Sequence, residues 1–206
     1  MTVWTYIRRP VATRAALAAR RLLVAALVLT PLAVAAPARA DGPAPTQSQS
    51  NYEIRFMTTM IDHHFMAVQM AELCQERAIH EELLTLCQQI ETTQQQEIDE
   101  MQAWLEAWYG VSYEPEMTPG DRQQMKRLAE LSGEEFEIEF MKRMIRHHWK
   151  ATVRASKCVD RAYHPELVET CENVVMTQTE EIRQMQTWLC AWYDICNYGP
   201  GGGAAE

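Results

Sequence analysis

The chain has no glycine-rich phosphate loop, no nucleophile elbow and no dinucleotide fingerprint, so the enzyme classes that carry those motifs have no support. It has no run of strand-like alternation, and a sheet protein is not expected. Neither half holds the Glu-x-x-His pair with which ferritin-like di-metal enzymes bind iron or manganese, which sets that chemistry aside. Acidic residues are absent from the first forty positions. Those positions hold instead six arginines (Arg8, Arg9, Arg14, Arg20, Arg21 and Arg39) and the apolar run Leu22 to Ala36. This is the make-up of an export signal. The run is short for a membrane span, and Ala38-Arg39-Ala40 offers small residues for cleavage before Asp41. Residues 1–40 are therefore read as a signal peptide, 41–51 as a flexible N-terminal segment, and the mature protein as periplasmic or secreted. Arg20-Arg21 lacks the polar and aromatic neighbours of a twin-arginine signal, which leaves ordinary secretion as the expected route.

The whole chain has a formal net charge of -9, and loss of the six signal-peptide arginines takes it to -15. So acidic a protein repels nucleic acid and anionic lipid. Neither nucleic acid nor a membrane is expected as partner after cleavage; a cation is. All six cysteines lie in the mature part, where an even number implies disulfides, and oxidised sulfur is lost as a thiolate ligand.

The chain is one hairpin written twice. Phe56 to Tyr109 aligns without a gap on Phe140 to Tyr193 at an offset of 84, with His63-His64, Cys74, His80, Cys87, Gln94, Glu97-Ile98, Met101 and Trp104 among the recurring positions. Apolar residues recur at spacings of three and four, so each copy reads as two helices. Ala78-Ile79-His80 and Ala162-Tyr163-His164-Pro165 mark the turns, with Pro165 suited to a first helical position and His164 to the cap before it. Residues 52–110 form the first hairpin repeat, 111–133 a connector with a short helix from Pro119 to Leu131, 134–196 the second repeat, and 197–206 a disordered tail. Ser132-Gly133-Glu134-Glu135 has the form of a capping box. The fold expected is all-α: a four-helix bundle of two duplicated antiparallel hairpins.

Cys74 and Cys87 flank the first turn and Cys158 and Cys171 the second, so each pair can staple its own hairpin, a closure worth roughly 3 kcal/mol. Cys190 and Cys196 are left to pair locally, intermolecular pairing being the alternative. If Cys74 faces Cys87, residues at one level sum to about 161, because both helices rise equally per residue. His64 then lies level with Glu97, Met60 with Met101 and Ala67 with Gln94. In the second copy His148 lies level with Glu181, Met144 with Met185 and Ala151 with Gln178. Both histidines of each copy fall on inward stripes.

Inward imidazoles among thioethers need a metal or a carboxylate to satisfy their nitrogens. Thioether plus imidazole suits Cu(I) over Cu(II) and stays usable where cysteines are oxidised. The candidate ligands are Met60, His63, His64, Met66, Met70 and Met101 in the first copy and Met144, His147, His148 and Met185 in the second. Glu97 and Glu181 either ligate or orient a histidine. Lys150 and Arg154 replace Met66 and Met70, which weakens the second site. The plainer reading stays open: methionine is a common filler of helical cores, and the histidines can bond to Glu97 and Glu181 in a structural or partner-binding bundle. Trp104, Trp108, Trp188 and Trp192 read as packing at the open hairpin ends.

At Met60-Ile61-Asp62-His63-His64, Ala67, Met70-Ala71, Gln94, Glu97-Ile98, Met101 and Trp104-Leu105 the chain resembles the ferritin-like domain of unknown function 305 family. The second copy resembles it at Leu131 to Phe136, Met144-Ile145-Arg146-His147-His148, His164-Pro165-Glu166-Leu167 and Gln178 through Leu189. The resemblance implies an exported four-helix bundle, some of whose relatives bind copper and contribute to metal tolerance. It reaches Met60, His63, His64, Met66, Met70 and Met101 directly. Arg154 stands where the family usually has methionine, and the paired cysteines are not a general family feature. The role implied is buffering or sequestration of copper, without catalysis. Such a role brings in a protein that delivers or receives the ion.

Overall fold

A computed structural model describes residues 42–201; the signal-peptide reading of residues 1–40 lies outside the described residues. Five helices follow in order: α1 (Gln47–Arg77), α2 (Glu81–Tyr109), α3 (Pro119–Ala129), α4 (Gly133–Val159) and α5 (Pro165–Tyr193). The α1–α2 and α4–α5 pairs are the two predicted hairpins, and α3 is the predicted connector helix. His80 and His164 are the N-cap residues of α2 and α5, as the turn reading has them. Among the described residues no helix is long and apolar enough to cross a membrane.

Three boundaries differ from the sequence reading. Helix α1 starts at Gln47, five residues before the expected repeat, because Thr46 accepts a hydrogen bond from the Gln49 amide and Ser50 donates to the Ala44 carbonyl in a buried contact. The expected disordered tail is structured through Gly201: Tyr198 is buried, and Gln186 donates to its carbonyl. The capping box expected at Ser132 does not form. Gly133 has φ +58°, outside the helical backbone a box requires, and the Ser132 side chain makes no cap bond. A capping box closes instead at Thr118 and Asp121, at the start of α3.

All three disulfides pair as expected, with Cα–Cα distances of 6.2 Å for Cys74–Cys87, 6.0 Å for Cys158–Cys171 and 4.3 Å for Cys190–Cys196. The first two close the turn end of each hairpin, and the third ties the tail to α5.

The hairpins meet mainly through α1 and α4. Their relative direction follows from two buried carboxylates. Glu137, at the start of α4, accepts hydrogen bonds from the Ile79 amide (2.6 Å), the His80 amide (2.9 Å), the His80 Nδ1 (2.6 Å) and the Tyr193 hydroxyl. Glu53, at the start of α1, does the same for the Tyr163 amide (2.6 Å), the His164 amide (3.0 Å), the His164 Nδ1 (2.6 Å) and the Tyr109 hydroxyl. The start of each inner helix thus grips the turn of the other hairpin, so α1 and α4 run antiparallel about a pseudo-two-fold axis. Trp192 stacks on His80 at 3.9 Å and Trp108 on His164 at 3.8 Å, closing each clasp from the open hairpin end. The antiparallel crossing leaves two apolar cores. One joins Met66, Met70, Met144 and Met185 with Phe136 and Phe140; the other joins Met57, Met60, Ile98, Met101 and Leu105 with Ala151 and Ala155.

Burial alone would raise the carboxyls of Glu53 and Glu137, but the tyrosine hydroxyl, the two amides and the histidine ring outweigh it and hold both below their ordinary 4.5. Both glutamate side chains are fully buried, so truncating one strands several donors at once. Glu137→Ala is expected to cost about 3–5 kcal/mol in urea unfolding. A loss under about 1 kcal/mol would show that apolar packing alone fixes the crossing.

Candidate metal centre at the waist

The two cores are separated by the four histidines of the doubled His-His motif. His63-His64 lies at the middle of α1 and His147-His148 at the middle of α4. The pseudo-axis brings His63 and His147 together, with ring centroids 3.6 Å apart and planes inclined by 31°. The sequence reading expected the same site twice, once per hairpin. Antiparallel crossing instead makes a single waist to which both copies contribute.

Each outer histidine meets the carboxylate level with it in the register. Nε2 of His64 lies 2.8 Å from Glu97 Oε2, and Nε2 of His148 lies 2.7 Å from Glu181 Oε2. These are close ion-pair distances, yet the approach is out of line for an N–H donor, and the ring nitrogens of His64 and His148 have no hydrogen-bond partner among the described residues. The contact is therefore electrostatic, and distance alone would overstate it. His63 and His147 keep an edge to solvent, but both nitrogens of His63 and Nδ1 of His147 are sealed and unpartnered.

Burial first, then the neighbouring imidazoles and Arg154, hold His63 well below its ordinary 6.5. Burial, His148, His64, Lys150 and Arg154 do the same for His147. Both rings are neutral at neutral pH, the form in which an imidazole nitrogen can bind a metal.

The methionines do not all stay with their own hairpin's histidines. Met60 and Met101 lie in one core, whereas Met66 and Met70 lie in the other with Met144 and Met185. Met66, Met70, His147 and Lys150 also line a cavity of about 80 Å³ beside Arg143 and Arg146. The soft ligand set expected in the first copy is thus divided across the waist. Among the described residues no three or more His, Cys, Asp or Glu side chains are grouped so as to hold a metal ion.

Sequence reasoning missed Glu53 and Glu137. The signal was present, since Glu53-Ile54 recurs as Glu137-Ile138 at the same offset of 84, just outside the aligned block. His80 and His164, read as turn residues, are partners of those carboxylates.

The unfolded chain takes up protons on His63 and His147 near pH 6.5, and the folded chain does not. The fold is therefore fully stabilised above that pH and loses stability as pH drops below it, by up to about 1.4 kcal/mol per pH unit for each ring. The urea midpoint of metal-free protein is expected to decline from about pH 7 to about pH 5. His63→Leu with His147→Leu should flatten that decline. An unchanged slope in the variant would assign the acid limit to other groups.

Residues 53–189 match the family described as Domain of unknown function (DUF305). No protein of curated function matches the sequence. Among solved structures, CopM in its Cu(I)-bound form superposes with a TM-score of 0.62 at 31% identity, covering 68% of this chain and 97% of CopM. A DUF305 protein from Streptomyces coelicolor superposes at 0.60 with 28% identity, covering 68% of this chain and 92% of its own. A DUF305 fragment from Deinococcus radiodurans gives 0.61 and 26%, covering 72% and 97%. CopM has also been solved in Cu(II)-bound, Ag-bound and apo forms. With the family's sequence running through both hairpins and its helical fold reproduced, the chain belongs to the DUF305 family.

Proposed function

We propose that the chain is an exported, non-catalytic metal-binding protein that holds a soft ion at its waist, Cu(I) ahead of Cu(II), for buffering, sequestration or tolerance. The observation that carries the reading is the stacked His63–His147 pair, two neutral imidazoles with sealed, unpartnered nitrogens between two methionine-bearing cores. Buried nitrogens without partners cost stability unless something binds them. The residues fit a soft ion: imidazoles already deprotonated, thioethers on both sides, and all six cysteines oxidised. His63 and His147 would ligate, with His64 and His148 held by Glu97 and Glu181. Among the described residues no three His, Cys, Asp or Glu side chains are grouped together, so Met60 and Met101, or Met66, Met70, Met144 and Met185, would complete the coordination.

CopM, solved with copper and silver bound, supports the same reading by likeness. The arginine-rich, acid-free N-terminus supports export to the periplasm or medium, where a protein that delivers or receives the ion is the partner implied. Lys150 and Arg154 act against a cation and set a limit on its affinity. A second reading, a structural or partner-binding bundle, is favoured by the close His64–Glu97 and His148–Glu181 pairs, which give the outer histidines a carboxylate neighbour.

Thermal unfolding with added metal separates the two, because a ligand of the native state alone must stabilise it, by about 2.7 kcal/mol at a hundredfold excess over Kd. Anaerobic Cu(I) is expected to raise the melting temperature more than Zn(II) or Fe(II), and His63→Ala with His147→Ala to abolish the rise. No shift with any metal would leave the histidines as core residues.

A further inference from the structure

The two hairpins touch only sparsely along α2 and α5. Beneath that seam lies a cavity of about 10 Å³, room for a single ion or water, lined by Thr93, Gln94 and Glu97, by their exact repeats Thr177, Gln178 and Glu181, and by Val174. No methionine lines it. Gln94 is 2% exposed and Gln178 3%, yet both polar atoms of the Gln94 amide and Oε1 of Gln178 have no hydrogen-bond partner among the described residues. A buried amide left so is a cost of about 1–3 kcal/mol. Duplication has kept the same three side chains in both copies, so the cost is incurred twice around one small space.

We propose that this cavity is a second cation site, for a hard, oxygen-seeking divalent ion of the calcium class, held by the amide oxygens of Gln94 and Gln178 and the carboxylates of Glu97 and Glu181. The donors are all oxygen, the set that calcium takes in flexible geometry. The two carboxylates carry the charge that balances a divalent ion, and without one they face the same small space as like charges. Outside the cavity a groove of about 530 Å³ shares Thr93, Glu97 and Thr177 and adds Glu100, Glu169 and Trp104. Its negative charge draws cations toward the seam. The site shares Glu97 and Glu181 with the outer histidines but takes Gln94 and Gln178 in place of any thioether, so it does not rest on the soft-metal reading.

Terbium(III) is a suitable probe, because Trp104 in the adjoining groove can sensitise its emission. Purified, disulfide-bonded protein titrated with Tb³⁺ should show saturable emission displaced by Ca²⁺ and unaffected by Cu(I). Gln94→Leu with Gln178→Leu should weaken Tb³⁺ binding by roughly tenfold or more while leaving any copper-dependent thermal shift intact. Gln94→Glu with Gln178→Glu, which keeps the oxygens and adds charge, should tighten it. The proposal is overturned by absence of emission with the unaltered protein. It is equally overturned by undiminished binding in the leucine pair, by weaker binding in the glutamate pair, or by loss through Glu100→Gln with Glu169→Gln alone.

Discussion

Everything distinctive about this bundle depends on two buried carboxylates that each hold the other hairpin's turn. Glu53 and Glu137 are fully buried, and each accepts from two backbone amides, an imidazole and a tyrosine hydroxyl. A carboxylate can be buried in this way only if its lone pairs are matched, and here they are. The exchange also fixes direction. A hairpin whose first helix begins by gripping the far turn of its twin has to lie antiparallel to it, and equivalent residues then meet only at the midpoint of the inner helices. The His63–His147 contact is thus a consequence of the clasp, since the clasp sets the axis and the axis passes between those residues.

The same axis explains why the waist is unequal on its two sides although the fold is symmetric. It exchanges Met66 with Lys150 and Met70 with Arg154. Met66, Met70 and Lys150 line one cavity beside His147, while Arg154 sits in another with Tyr52 and Phe56. Both cores bring thioethers to the waist, but the cationic side chains differ: Lys150, with Arg143 and Arg146, borders the Met66–Met70 side and Arg154 the other. Lys150 and Arg154 join burial in keeping His147 neutral. The charges that act against a bound cation also hold its ligands ready, and the balance between the two sets how tightly an ion is retained.

Much of this was legible in the sequence because duplication makes local physics repeat. The offset of 84 gave the hairpins, the cysteine spacing gave the register within each, and that register put His64 beside Glu97 and His148 beside Glu181, where the structure has them. What was not legible was the relation between hairpins. Nothing in a helical period states whether two amphipathic hairpins cross parallel or antiparallel, and that relation puts Met66 and Met70 in a different core from Met60 and brings the histidines of both copies to one waist. Glu53 and Glu137 look like surface glutamates at the start of a helix, where acidic residues are ordinary. Only their partners, 110 and 58 residues away in the chain, show otherwise. The missing cap at Ser132 was a different error: the motif was right, but a glycine within it adopted a backbone that the motif cannot use.

The distribution of restraints along the bundle also decides where it can admit an ion. Each hairpin is closed at its turn by a disulfide, and the clasps bind the two hairpins at both ends of the inner helices. Neither device reaches the middle of α2 and α5, where contact is sparse and buried Gln94, Gln178 and Glu181 sit among Ile90, Ile98, Val174 and Ile182. Separation there breaks neither a disulfide nor a clasp, the restraints that hold the rest of the bundle. It also exposes Glu97 and Glu181, which stand against the outer histidines. The outer seam is thus crossed by no disulfide and by neither clasp, and it lies over Gln94 and Gln178, whose buried amides have atoms without a hydrogen-bond partner among the described residues.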